Sequence, residues 1–263
     1  MRRSAPILFK LFANPAEAKD FSLEQWSECL KQAYKTGSVA RVFACLRRYN
    51  LADCIPEQLS WHFTSADRMK QAQARDSNYT INKLSRHLAS FKGQVILLKG
   101  AAYAVSDDTC VGEGRLFSDI DIYVDHENID TVEQLLKWSG WEYDEEKSEY
   151  DIDYYRNWMH ELPPLVNKTL PLMLDVHHHL VPIISRQCFD ISALTKTSDV
   201  TTHSQFNVLV PEAQLIHTAL HMLTNDDMTN ITRDLLDFYL NYTANKSRVM
   251  FDMSSLVSIC SAV

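Results

Sequence analysis

Apolar positions along the first half of the chain recur at intervals of three and four. Leu23, Trp26, Leu30, Ala33 and Tyr34, then Val39, Val42, Phe43 and Leu46, predict helix from about Ser22 to Arg48. Ser22 is a candidate N-cap, with Gln25 three residues on in the capping-box position. A thinner set, Met69, Ala72, Tyr79, Leu84 and Leu88, predicts a further helix from Thr64 or Ser65 to Leu88. The pattern then changes. The continuous apolar run from Gln94 to Lys99, between Gly93 and Gly100, predicts a buried strand, followed by a short helix over 101–106, a loop, and a second strand within 115–125. Ile129, Val132, Leu135 and Leu136 share one helical face that Gly140 closes. A short strand is expected at 141–146, and the stretch 158–180 reads as two apolar strands joined around Asn167 and Lys168. Two amphipathic helices close the chain, one in 211–225 and one in 231–242.

The second strand carries the pattern with most chemistry. Side chains of a strand alternate between faces, so Ile120, Ile122 and Val124 enter a core while Asp119, Asp121 and Tyr123 share the other face. The two carboxylates then lie roughly 7 Å apart at the Cα atoms, two strand rises. Charges held that close repel unless a cation stands between them. The solvated face of an ordinary alternating strand also produces an isolated D-x-D. Three features argue for more: an earlier strand that ends in Lys99 and Gly100, the donors Arg115 and Ser118 beside the pair, and a third carboxylate, Asp175, on a later apolar strand. If that strand pairs with the first, Met173, Asp175 and His177 share one face and Leu172, Leu174 and Val176 the other, so burying the leucines turns Asp175 toward the acid pair.

These residues resemble the nucleotidyltransferase superfamily that includes DNA polymerase beta, and within it the group of uncharacterised nucleotidyltransferases. In that group a strand ends in Lys-Gly, here Lys99 and Gly100; an arginine precedes D-I-D, here Arg115 with Asp119 and Asp121; and a later strand supplies the third acid, here Asp175 followed by His177. The segment around Arg233 and Asp237 is similar to its C-terminal helical part. Two departures are the aspartate at 175, where glutamate is usual, and His178, where tryptophan is common.

The resemblance implies an α/β (α+β) fold, a small mixed sheet with packed helices. Residues 1–92 would form an N-terminal helical region, 93–185 the nucleotidyltransferase core and 186–263 a C-terminal helical region. It also implies Mg²⁺-dependent transfer of a nucleoside monophosphate from an NTP to an acceptor hydroxyl. Asp119, Asp121 and Asp175 would hold the metal and carry catalysis; Lys99, Gly100, Arg115 and Ser118 would meet the nucleotide. The acceptor stays open among antibiotic, sugar, peptide and protein side chain. The alternative is a degenerate member of the same fold that holds a nucleotide or a partner without turnover. The shorter third acid and a C-terminus that ends early for the group favour it.

Composition narrows the partners. With 263 residues, 46% hydrophobic and 23% charged, the chain is long enough for a sizeable core and has the make-up of a globular protein. A net charge of -8 argues against non-specific nucleic-acid binding, which needs a basic footprint; Arg47 and Arg48 form only a small one. The six cysteines contain no C-x-x-C pair, which points to a reducing compartment. Lys10 and Pro15 interrupt the N-terminal apolar run, and no segment approaches the ~20 apolar residues of a membrane span, so the expectation is a cytoplasmic protein without membrane contact. Consecutive His177, His178 and His179 suggest a metal, but strand alternation lets only His177 and His179 point together. A metal-dependent phosphohydrolase would need an ion at those two. His160, His217 and His221 show no partner in the sequence and are expected in core or surface roles.

Overall fold

The computed structural model describes residues 5–106, 110–181, 183, 198–200, 206–224 and 231–245. Two compact units divide the chain: Met1–Arg75 with Val111–Leu116, and Asp76–Cys110 with Phe117–Val263.

The first unit is helical. Helices α1 (Ile7–Ala13), α2 (Leu23–Lys35) and α3 (Val39–Arg48) are followed by α4 (Glu57–His87), in which the boundary between the units falls. Ser22 caps α2 in the expected reciprocal box: its hydroxyl accepts from the Gln25 amide, and its own amide donates to the Gln25 side chain. The helix α4 begins seven residues before the expected Thr64, directly after Pro56, a residue suited to a helix start. Its inward face runs through Phe63, Ala66, Ser77, Thr80, Ile81 and Leu84, with Leu88 just after it, while Met69 and Tyr79 are exposed. Leu84 and Leu88 are buried as expected; Ser77 and Thr80 hold core positions without apolar side chains, so the apolar residues alone misplace Met69 and Tyr79. Trp26 and Phe63 meet edge to face at 6.2 Å between ring centroids.

A mixed seven-stranded sheet organises the second unit. In chain order the strands are β1 (Ile96–Leu97), β2 (Asp119–Tyr123), β3 (Trp141–Tyr143), β4 (Leu165–Asn167), β5 (Met173–His177), β6 (Ser198–Val200) and β7 (Asn207–Leu209), arranged β3-β4-β5-β2-β1-β7-β6. The pairs β2/β5 and β1/β7 are parallel and the others antiparallel. The helices are α5 (Lys99–Val105), α6 (Ile129–Trp138), α7 (Glu149–Trp158), α8 (Pro211–Thr224) and α9 (Ile231–Asn245). An α/β class with a small mixed sheet is therefore what the chain adopts. The strands β6 and β7 and the helix α7 have no counterpart in the apolar pattern. Mostly polar and aromatic, α7 is announced only by its Ser148–Asp151 capping box.

Alternation places the core. Ile120, Ile122, Val124, Leu174, Val176 and Leu97 face a cluster that includes Leu84 of α4 and Leu88 just after it, Ala101 and Ala102 of α5, and Val132 and Leu136 of α6. Ile96, Leu98 and Tyr123 point the other way and pack with Leu180, Leu209 and Ala213 of α8. The central strands are thus covered on both faces.

Ile122 is completely buried in the centre of this sheet. Ile122→Ala is expected to cost about 2–5 kcal/mol, the range for a buried large-to-small change, read as a lower urea midpoint with an unchanged slope.

Candidate active site

Two neighbouring strands gather one group of three acids. In the parallel β2/β5 register, Asp119 lies opposite Met173, Asp121 opposite Asp175, and Tyr123 opposite His177. Paired positions share a face, so burying Ile120, Ile122, Leu174 and Val176 on one side delivers the acids to the other. Asp119, Asp121 and Asp175 each place a carboxylate oxygen within 4.8 Å of the others. Asp119 and Asp175 are half-buried, and the backbone pairing alone fixes the spacing of Asp121 and Asp175.

Asp121 differs from expectation. Sharing the face opposite the core with Asp119 does not leave it open to solvent: Asp121 is only 2% exposed. The reason is α8, whose Ala213 packs against the apolar residues on the same face of β1 and β2. The side chain of Asp121 is compensated inside the protein. Lys99 Nζ donates to its Oδ1 at 2.7 Å, and His177 Nε2 stands 3.0 Å from the same oxygen. Burial alone would raise the Asp121 pKa; the Lys99 charge and the His177 hydrogen bond overcome it and hold the carboxyl far below the usual carboxylate range. An ionised Asp121 only accepts, so the proton facing it is on His177 Nε2.

Lys99 reaches this position through a tight turn. It is the first residue of α5, directly after the strand, and adopts a left-handed φ of 43°. A β-carbon makes that conformation costly, by roughly 1–3 kcal/mol. The Leu98 amide donates to the Asp121 carbonyl at 2.9 Å, which locks the turn beside the acid. Burial opposes the Lys99 charge, but Asp121, with Glu161 and Asp119, leaves its pKa raised.

Among the described residues Asp175 has no such ammonium counter-ion. Burial, and then the charges of Asp121 and Glu161, push its carboxyl up to about 7, with His177 pulling weakly the other way. Of the remaining candidates, Ser118 is exposed beside Asp119 and Gly100 is buried in α5. Arg115 belongs to the first unit, where it is buried and its charge, after burial itself, helps to push the Lys70 pKa down to about 8.

The histidines depart from alternation because β5 ends at His177. His178 and His179 turn toward each other, with their Nδ1 atoms 2.8 Å apart, and both rings lie near His126. The expected pairing of His177 with His179 does not form. His177 faces His160 and Glu161 instead, and His221 Nδ1 meets Asp234 Oδ2 at 2.9 Å, so neither His160 nor His221 is a bystander. Glu161 was not singled out by sequence. Its place comes from a β-bridge between residues far apart in the chain, Glu161 and His177, which no local spacing announces.

Among the described residues no helix is long and apolar enough to cross a membrane. Cys29, Cys54 and Cys110 form no disulfide among the described residues; Cys188 and Cys260 lie outside them.

Comparison with known proteins gives one family. The model described as "Uncharacterised nucleotidyltransferase" matches residues 22–262. No curated protein matches the chain. Two solved structures are similar. ANT(2")-Ia, solved with adenylyl-2"-tobramycin, is 14% identical with a TM-score of 0.42, over 65% of this chain and 90% of that one. An antigenic nucleotidyltransferase-like protein from Paracoccidioides brasiliensis is 18% identical with a TM-score of 0.37, over 72% and 96%.

The raised Asp175 carboxyl has a stability consequence. Its folded pKa of about 7 lies above the ordinary 3.8, so the native state binds the extra proton between those values. Its contribution is complete below about pH 4 and is lost as pH rises through 7. In chelator, Asp175→Asn should therefore melt higher than the parent at pH 8 and similarly at pH 4. The gain has an upper bound of about 4 kcal/mol, at 1.36 kcal/mol per pKa unit. Equal melting temperatures at pH 8 would contradict the buried, uncompensated Asp175.

Proposed function

The chain belongs to the uncharacterised nucleotidyltransferase family, and from that premise we propose that it transfers a nucleoside monophosphate from Mg²⁺-NTP to an acceptor hydroxyl. The observation that carries this reading is the parallel register of Asp121 with Asp175, which gathers three carboxylates at one sheet position. Those residues fit the ion. Mg²⁺ takes hard oxygen ligands at ~2.0 to 2.1 Å and is commonly held by one or two carboxylates plus phosphate oxygens. Asp119, Asp121 and Asp175 would hold it; bound there, the ion neutralises charge on the triphosphate and on the attacking oxygen.

The residues divide the remaining work. In the proposed reaction the acceptor oxygen bonds to the α-phosphorus, the bond from the α-phosphorus to the bridging oxygen breaks, and pyrophosphate leaves. Lys99 and His177 keep Asp121 ionised and fixed in direction, so one ligand is set before the nucleotide arrives. Asp175, opposite Asp121 in the parallel register, is assigned to the acceptor side; a bound divalent ion would offset the burial and negative neighbours that raise its carboxyl and keep it ionised as a ligand. An aspartate replaces the longer glutamate here, but direct pairing with β2 brings its backbone next to Asp121 and offsets the missing methylene. The exposed Ser118 and the turn at Lys99 and Gly100 are assigned to the phosphates. A setting inside the cell agrees with cysteines that form no disulfide among the described residues and with the requirement for NTP.

The test uses the full chain with Mg²⁺, α-labelled NTPs and a broad set of hydroxyl acceptors. Label should move to an acceptor with release of pyrophosphate. Asp175→Asn should abolish this and leave Mg²⁺-NTP affinity within a few-fold of the parent, because Asp119 and Asp121 would still hold the metal that the triphosphate brings and only the acceptor-side position is lost. Asp119→Asn with Asp121→Asn should weaken Mg²⁺-NTP binding in calorimetry by at least about tenfold, that is 1.4 kcal/mol or more. Tight binding with no transfer to any acceptor would favour the degenerate binding protein.

A further inference from the structure

A second set of ligand atoms lies beside the acids, and its chemistry differs. His160, Glu161 and His177 each place one ligand atom within 4.8 Å of the others. Glu161 Oε2 is 3.3 Å from His177 Nε2 and 3.7 Å from His160 Nε2. Two ligands on a tetrahedral ion with bonds of ~2.0 to 2.1 Å stand roughly 3.3 Å apart, so the donors already have nearly the spacing that such an ion imposes.

The arrangement is built by the backbone. An antiparallel bridge sets Glu161 opposite His177. The Leu162 amide donates to the Val176 carbonyl at 2.9 Å, and the His178 and His179 amides both donate to the His160 carbonyl, at 2.9 and 3.1 Å. Neighbouring side chains on a regular strand would diverge, but the chain bends at His160, and that bend lets His160 and Glu161 converge. His177 is 2% exposed, and Glu161 and His160 are about one-quarter and one-fifth exposed at the side chain, so the set is open on one side. Its electrostatics ask for a cation. The single Nε2 proton of His177 faces two carboxylate oxygens, Asp121 Oδ1 at 3.0 Å and Glu161 Oε2 at 3.3 Å. Lys99 is committed to Asp121, which leaves Glu161 with imidazole contacts alone among its ion pairs in the described residues.

We propose that His160, Glu161 and His177 form a site for a borderline divalent ion of the zinc class, separate from the carboxylate site for magnesium. Imidazole nitrogen suits zinc and its neighbours in the transition series, whereas magnesium selects oxygen. Two histidines and a glutamate with one open side are the donor set of a three-ligand zinc site that keeps a fourth position for water or substrate. The ion takes the place of the His177 Nε2 proton, so Asp121 keeps a positive neighbour and the acid centre gains a fixed charge at its edge. This inference does not depend on nucleotidyl transfer.

The test is a titration of metal-stripped full-length protein with Co²⁺, a spectroscopic stand-in for Zn²⁺, in excess Mg²⁺. One Co²⁺ should bind with the intense visible bands of four- or five-coordination. Glu161→Gln and His160→Ala should each weaken it at least about 100-fold, since losing even an outer-shell partner costs 10–100-fold. Asp119→Asn should leave the bands in place. The melting temperatures of the metal-free variants report folding; Glu161→Gln, nearly isosteric, decides the matter if His160→Ala is unstable. No Co²⁺ uptake in the presence of Mg²⁺, uptake that survives both substitutions, or uptake lost only in Asp119→Asn would each overturn the inference.

Discussion

The contact of Lys99 with Asp121 is the constraint around which the site is arranged. A carboxylate 2% exposed in the middle of a sheet carries a desolvation cost of several kcal/mol. It stays ionised because an ammonium lies 2.7 Å away and an imidazole 3.0 Å away on the same oxygen. Removing either partner would strand a buried charge, which explains why the chain tolerates a left-handed backbone at a lysine. The turn is strained so that the ammonium can arrive. From that pair the rest follows: β1 is tied to β2, β2 sets the register of β5, and β5 brings Asp175 and His177 to the same face.

Asp175 and Asp121 show how one sheet face creates two charge states from the same chemical group. Asp121 has two positive or proton-donating neighbours and is held ionised. Asp175, one strand away, has mostly negative ones and is held near neutrality. A divalent cation among the three carboxylates would lower the raised Asp175 carboxyl, so the difference between the two acids belongs to the metal-free site. Next to them, His160 and His177 offer nitrogen beside the carboxylate of Glu161, and so a different metal preference from the oxygen-only set.

Much of this was legible because period-two alternation is a strong signal. Ile120, Ile122 and Val124 against Asp119 and Asp121, and Leu174 and Val176 against Asp175, determine faces without reference to any neighbour. The capping box at Ser22 is equally local. What could not be read depends on contacts distant in sequence. The burial of Asp121 follows from α8, nearly a hundred residues later. Glu161 joins the site through a bridge to His177. The exposure of Met69 and Tyr79 in α4 has a different cause: Ser77 and Thr80 occupy core positions there, so apolar residues stop marking the buried side, although Leu84 still does.

Diffraction from crystals grown with Mn²⁺ and a non-hydrolysable NTP, with anomalous scattering used to locate the metal, tests the central claim most directly. The account predicts Mn²⁺ bound to carboxylate oxygens of Asp119, Asp121 and Asp175 and to phosphate oxygens, with Lys99 still on Asp121. A nucleotide bound elsewhere, or Mn²⁺ absent from those three carboxylates, would contradict it.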